Sequence, residues 1–327
     1  MQPHRVGRLV LDGVVDAPDY AATGWSTNLN DIDKIITNFT VNCYEAGQYL
    51  CKFFDEGGPL RIQANLDAVL QELESAPLPA WTEQGPTSIA KSDILTMIFE
   101  LVYSPPITFP GIAAILSDLS KGNGSAFAAM KAVRYESSCS RDGKPTPTDT
   151  EDSTMAILCS DGNDLTSMSQ EDYLEYINLL NQQSTYFGNR WALIKLPCLG
   201  YTVRAKWRFA GPFGTDTAHP ILFASQSLDP VTPLRNAFAA AKLFPNSAVV
   251  EATGMGHTTL ANPSVCTAKT IREYFQTGAL PENGKKCDVD VRPFEELDGM
   301  RHGYEGADRE LLDALVEIAK TWPWTWP

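Results

Sequence analysis

The chain has 327 residues, 26 Lys and Arg against 40 Asp and Glu, a formal net charge of -14, and 43% hydrophobic residues. That length suits one large or two medium domains with a real core. The acidity argues against nucleic acid or an anionic membrane as partner, and no apolar run approaches the roughly 20 residues of a membrane span.

The opening stretch RLVLDGVVD, residues 8–16, is a nearly continuous apolar run interrupted by Asp12 and Gly13. It predicts a strand buried on both faces, as in a parallel sheet, with neighbours on both sides. It is not a signal peptide, because its apolar part is short and broken by Gly7, Arg8 and Asp12. Helical periodicity dominates from about residue 31 to 135. Ile62, Leu66, Val69, Leu70 and Leu73 repeat at helical spacing in a segment closed by Pro77 and Pro79, as do Ile94, Ile98, Leu101 and Val102, then Ile112, Ile115, Leu116 and Leu119. This region reads as a helical cap with little strand content. The polar stretch at 140–153 predicts an exposed loop. TMAILCSDG, residues 154–162, predicts a short strand or buried turn, and Tyr173 to Leu180 another helix.

From residue 219 the pattern alternates. PILFAS is a strand, and Thr232-Pro233 starts a helix with Thr as N-cap and Pro at its first position. Ala237, Phe238, Ala241 and Phe244 form its apolar stripe, and Pro245-Asn246 ends it. SAVVEA is the next strand. Asn262-Pro263 starts a helix carrying Val265, Ala268, Ile271 and Phe275, with Gly278 just past its end. Such alternation predicts an α/β layer with a parallel sheet. The terminal TWPWTWP reads as a tail lying on the surface.

Asp229 and His257 follow the two strands of that alternating region, where ligand sites gather in parallel sheets. Gly254 and Gly256 permit the backbone angles that turn an imidazole inward. An Asp there accepts the His Nδ1–H, fixes the tautomer and stabilises the imidazolium. A pair of this kind serves a nucleophile. Yet no G-x-S-x-G elbow occurs in the chain. The nearest imitation is LCSDG with Ser160, but Leu158 stands where the elbow needs glycine, and no amphipathic helix follows directly. No nucleophile is therefore assigned in this chain.

Seven cysteines, with the sequons at Asn38 and Asn123, suit an oxidising compartment and N-glycosylation. Cys266 and Cys287 flank the last alternating helix, and a bridge would tie the following segment back onto it. Cys159 and Cys198 bracket one cap segment. Cys43 and Cys51 can pair only if their helix breaks, since eight continuous helical residues span about 12 Å, beyond disulfide reach; Gly47 is the candidate break. Cys139 is left over. The alternative is free buried thiols. No metal site is evident, with four scattered histidines and no H-E-x-x-H, and no cofactor is expected.

RVGRLVLDGVVD, PILFASQSLDPVTPLRNA and FPNSAVVEATGMGHTTLANPSVCTAKTIREYFQTGALPENGKKC resemble the secreted tripeptidyl-aminopeptidase-like serine exopeptidases of the α/β-hydrolase superfamily, closely over about residues 219–294. One departure is Thr258, where many relatives have a cysteine. The resemblance implies that Asp229 and His257 are the acid and base of a Ser–Asp–His triad. It implies a partial α/β-hydrolase fold, with 1–20 the first strand, 21–215 an inserted helical cap, 216–294 the part bearing Asp and His, and 295–327 a C-terminal helix and tail. The nucleophile would then lie ahead of the opening strand, and the chain reads as the C-terminal part of a longer secreted hydrolase, inactive as given. Its substrate would be a peptide or small ester, and its exposed first strand invites self-association. An aminopeptidase needs acidic groups for the substrate ammonium; Asp161 is one candidate among many. The alternatives are a non-catalytic relative acting as a binding module and an esterase on the same scaffold.

Overall fold

The computed structural model describes residues 2–134, 151–295 and 303–321. Cys139, positions 140–150 of the expected loop and positions 322–327 of the aromatic tail lie outside them. The opening run forms β1 (Val10–Asp12), shorter than its apolar pattern suggests because Gly13, at φ 69°, turns the chain away. A short helix α1 (Ala17–Ala21) follows, its first turn capped by the Asp16 carboxylate.

The cap begins with α2 (Ile32–Leu50). Ile32, Ile35, Ile36, Phe39 and Cys43 fall on one helical face and are buried. Gly47 adopts φ 74° and ψ 176°, a conformation that breaks the helix and that a side chain would disfavour. The break lets Cys43 and Cys51 approach to a Cα–Cα distance of 5.1 Å and bond. Then comes α3 (Pro59–Ser75), which buries its expected stripe of Ile62, Leu66, Val69, Leu70 and Leu73.

Strands β2 (Leu78–Thr82) and β3 (Gly85–Ile89) make an antiparallel hairpin inside the cap, a departure from the expectation of little strand there. Pro77 and Pro79 stop the preceding helix, but proline is also tolerated in a two-stranded ribbon, where both strands are edges. Glu83 and Gln84 form the tip, and Gly85 takes φ 120°.

The cap continues through α4 (Lys91–Leu101), α5 (Pro105–Leu119), α6 (Ser125–Arg134), α7 (Glu151–Asp161), α8 (Gln170–Gln183) and α9 (Gly188–Ala192). TMAILCSDG thus lies mostly in α7, not in a strand or buried turn. Its Met-Ala-Ile-Leu core is too short for periodicity to separate the two, and Ala, Met and Leu all favour helix. Cys159 in α7 bonds to Cys198.

Aromatic side chains fill the cap. Trp191, Phe99, Phe109 and Phe187 are fully buried, each contributing about 1.5–3 kcal/mol by burial. The Trp25 carbonyl accepts from both Trp191 Nε1 and Tyr176 Oη at 2.9 Å, so these large side chains leave those polar ends satisfied.

The chain then returns to the sheet with β4 (Leu222–Leu228), α10 (Leu234–Leu243), β5 (Ala248–Met255), α11 (Val265–Thr277) and β6 (Lys285–Cys287), followed by α12 (Gly306–Thr321). The sheet order is β1-β4-β5-β6, with each neighbouring pair parallel. Alternate residues of β4 and β5 go to opposite layers. Leu222, Ala224, Ala248 and Val250 pack with Tyr274 of α11, while Phe223 and Val249 pack with Ala237 of α10. Covering both faces explains why these strands read as continuous apolar runs.

Both helix starts fall slightly later than expected. Pro233 occupies the cap position of α10, so Thr232 sits before the helix with its hydroxyl turned elsewhere. In α11 the cap is Ser264, whose Oγ accepts from Thr267 N. Gly278 closes α11 in the left-handed conformation at φ 83°. The Cys266–Cys287 bridge ties β6 to α11, with a Cα–Cα distance of 5.4 Å. Among the described residues β1 pairs only with β4, leaving its other edge open and Leu11 37% exposed.

Candidate active site

Asp229 follows β4 directly, and its side chain is completely buried. Its Oδ1 accepts from Val231 N at 2.9 Å and Thr232 N at 2.7 Å, a turn that Asp builds from its own downstream backbone. Its Oδ2 accepts from Thr258 N at 3.0 Å. These bonds keep a buried carboxylate satisfied and fix its orientation.

His257 follows β5 and meets that carboxylate. Nδ1 lies 3.1 Å from Asp229 Oδ2 and 3.2 Å from Oδ1. A carboxylate has no hydrogen to give, so Nδ1 carries the proton and the basic lone pair sits on Nε2. Thr232 Oγ1 stands 3.2 Å from the same Nδ1, which is where the hydroxyl expected to cap α10 has gone. The two residues singled out from the sequence are therefore brought together.

The loop carrying His257 is held by four consecutive backbone N–H groups, bonded to three separate parts of the fold. Gly256 N donates to Leu228 O at 2.9 Å, at the end of β4. His257 N donates to Tyr103 O at 2.8 Å, in the cap between α4 and α5. Thr258 N donates to Asp229, and Thr259 N to Asp12 at 3.0 Å, at the end of β1.

The two glycines act differently. Gly256 has φ 121°, and a Cβ there would come within 2.8 Å of the Tyr103 carbonyl. Gly254 keeps an ordinary φ; its role is close approach, since a Cβ would sit 2.6 Å from Asn262 Nδ2 and from Val289. Thr258, the departure from the resembled family, takes φ 64°, and its N–H rather than its side chain makes the Asp229 contact.

Burial pulls the His257 imidazole pKa down, and the Asp229 charge, the Nδ1 hydrogen bond and, last, the Asp12 charge push it up; the net shift is upward. Tyr103 meets the imidazole edge to face at a centroid distance of 5.1 Å. Burial, then the nearby Asp229 charge, hold its phenol far above the ordinary tyrosine range, so it stays neutral. Asp12, Tyr103, Thr232 and Thr259 are site residues that sequence reading did not find. Asp12 stood in the quoted RLVLDGVVD, but nothing local tied it to residue 259.

Ser160 lies in the last turn of α7, so it has no strand before it and no helix after it, both of which an elbow requires. Asp161 ends the same helix and accepts from Tyr20 Oη at 2.9 Å; burial and that carboxylate push the Tyr20 pKa up to about 12. Asn38 sits within α2, its Nδ2 donating to Lys34 O at 2.8 Å. Asn123 is exposed in the turn between α5 and α6, its Oδ1 accepting from Ser125 N. Of the seven cysteines, six form the three bridges anticipated, between 43 and 51, 159 and 198, and 266 and 287. The bridges, with no described helix long and apolar enough to cross a membrane, are compatible with a secreted or extracellular protein.

No curated protein matches the chain. The family model described as TAP-like protein matches residues 184–287, about a third of the chain. That match runs from α9 through β4, Asp229, β5, His257 and α11 to Cys287 at the end of β6, and with the parallel sheet it supports placing this chain in the α/β-hydrolase superfamily.

Proposed function

We propose that Asp229 and His257 are the acid and base of a serine hydrolase, an exopeptidase that releases short peptides from polypeptide N-termini. The observation that carries this reading is the buried Asp229 carboxylate 3.1 Å from His257 Nδ1, at the C-terminal ends of adjacent parallel strands. In this reading a serine hydroxyl gives its proton to Nε2 while its oxygen attacks the scissile carbonyl carbon. Asp229 stabilises the imidazolium, which then protonates the leaving amine as the C–N bond breaks. Water repeats the cycle on the acyl-enzyme, its proton passing to Nε2 and back to the departing serine.

The 327 residues hold no G-x-S-x-G. We place the serine on a strand that pairs with the open edge of β1, next to the strand end whose Gly13 abuts the imidazole. An oxyanion hole would come from the same missing turn and an earlier loop. We expect no peptidase turnover from these residues alone. The parent protein would be exported, in keeping with the disulfides, and carboxylates of the cap would hold the substrate ammonium group.

Treatment with a fluorophosphonate probe followed by mass spectrometry tests the assignment. No serine of the chain should be labelled, Ser160 included. Stoichiometric labelling of any serine would overturn the missing-nucleophile reading. A reading frame for the intact gene with no upstream G-x-S-x-G would favour the non-catalytic binding module instead.

A further inference from the structure

We infer that Asp12 is a second positioning carboxylate for His257, acting from β1 through Thr259. This rests on the reading of His257 as the general base. Asp12 is the last residue of β1, on the far side of the site from β5. Both of its carboxylate oxygens accept from Thr259 N at 3.0 Å, and Oδ2 also accepts from Thr259 Oγ1 at 2.6 Å. A carboxylate taking three contacts from one residue is a clamp of fixed geometry, stronger than a neutral hydrogen bond.

The clamp matters because of where Thr259 lies. It is two residues beyond His257, and Thr258 between them is held in the left-handed region at φ 64°. A non-glycine residue stays there only when its surroundings over-determine it. Asp229 pins Thr258 N, and Asp12 pins Thr259 N, so two carboxylates from adjacent strands hold successive amides beyond the imidazole. Without Asp12 the C-terminal side of the strained residue keeps only the longer bonds from Gln226 Nε2 and Ala261 N to the Thr258 carbonyl, each 3.3 Å.

Asp12 also acts through space. Among the described residues, Asp229 after β4, Asp12 on β1 and Tyr103 from the cap face the imidazole, and Asp12 adds to the upward push on it. Asp12 is itself held above the ordinary carboxylate range. Burial is the main cause, and Asp229 adds to it; the Thr259 bonds and the His257 charge oppose it. The Thr259 bonds thus favour the ionised form of Asp12 against its burial, and losing the threonine hydroxyl should push the carboxyl higher still.

The experiment is an imidazole titration by 15N NMR on the full chain, with D12N, T259V and D229N. D12N removes the charge while keeping an acceptor oxygen for Thr259 N, and His257 is expected to titrate lower than in the parent. T259V keeps the carboxylate but takes away its shortest hydrogen bond, and a smaller downward shift is expected. In D12A the Thr259 amide should exchange at least about tenfold faster, since its charged acceptor is gone. An unmoved His257 titration in D12N, or in T259V should D12N not fold, overturns the inference provided D229N does move it. If D229N also leaves His257 unmoved, the acid–base reading itself has failed.

Discussion

Replacing Asp229 by Asn probes the site with an almost isosteric change. The carboxylate accepts three backbone N–H groups, two on Oδ1 and one on Oδ2, beside the imidazole Nδ1–H on Oδ2. An amide has one acceptor and one donor end. If its NH2 faced Val231 and Thr232, two fixed amides would lose their acceptor; facing Thr258 and His257, it strands only one. The second orientation should win. Thr258 N–H cannot move, but the imidazole can answer by shifting its proton to Nε2 and accepting from the new NH2 at Nδ1. D229N should thus fold with the Nε2–H tautomer, leaving no lone pair there to take a proton from a serine.

The lost bond at Thr258 is charge-assisted and buried, so the destabilisation is about 1.5–3 kcal/mol. D229A strands all three amides and should lose about 3–5 kcal/mol, a large share of the roughly 5–15 kcal/mol that holds a domain together. Urea unfolding reads the first quantity and 15N NMR of the imidazole reads the tautomer. A D229A variant as stable as the parent, or an Nδ1–H tautomer persisting in D229N, would refute the reasoning. The same pair sets a pH dependence. The folded-state pKa of His257 is raised, so its contribution to stability is fully present below the unfolded histidine value of about 6.5 and is lost as pH rises through the folded value. D229N should flatten that part of the stability profile, measured as urea midpoints across pH.

Gly13 has φ 69°, and a Cβ there would lie 2.8 Å from Thr258 Cγ2 and 3.1 Å from His257 Cε1. G13A is therefore expected to shift the His257 resonances and cost about 1–3 kcal/mol of stability; unchanged spectra would contradict the packing. Loop length orders the disulfides, and opening Cys159–Cys198, whose partners are 39 positions apart, should cost most, about 4 kcal/mol, against about 3 for Cys266–Cys287 and about 2.5 for Cys43–Cys51. Paired Cys→Ser variants compared by urea midpoint would test that order. The open β1 edge should drive the isolated chain to dimers or poor solubility, and L11K should relieve it. Light scattering that finds the parent a concentration-independent monomer would count against this.

The parallel α/β layer was legible because its signals are local. Strands buried on both faces must be apolar throughout, helices must carry stripes, and Gly278 had to follow α11 where a left-handed residue is needed. The Asp–His pair was legible for the same reason, since each side chain follows a strand of one parallel pair. Even the Cys43–Cys51 bridge could be anticipated from the single glycine able to break its helix. Short segments misled. The α7 run and the β2–β3 hairpin are too brief for periodicity to outweigh context.

What only the tertiary structure decided is how the histidine loop is held. Its four successive amides reach Leu228, Tyr103, Asp229 and Asp12, partners separated from it by as many as 247 residues. Sequence spacing carries information about neighbours on one helix or strand. A backbone N–H has no side-chain identity to betray its partner, so contacts of this kind become visible only once the sheet and cap have closed around residue 257.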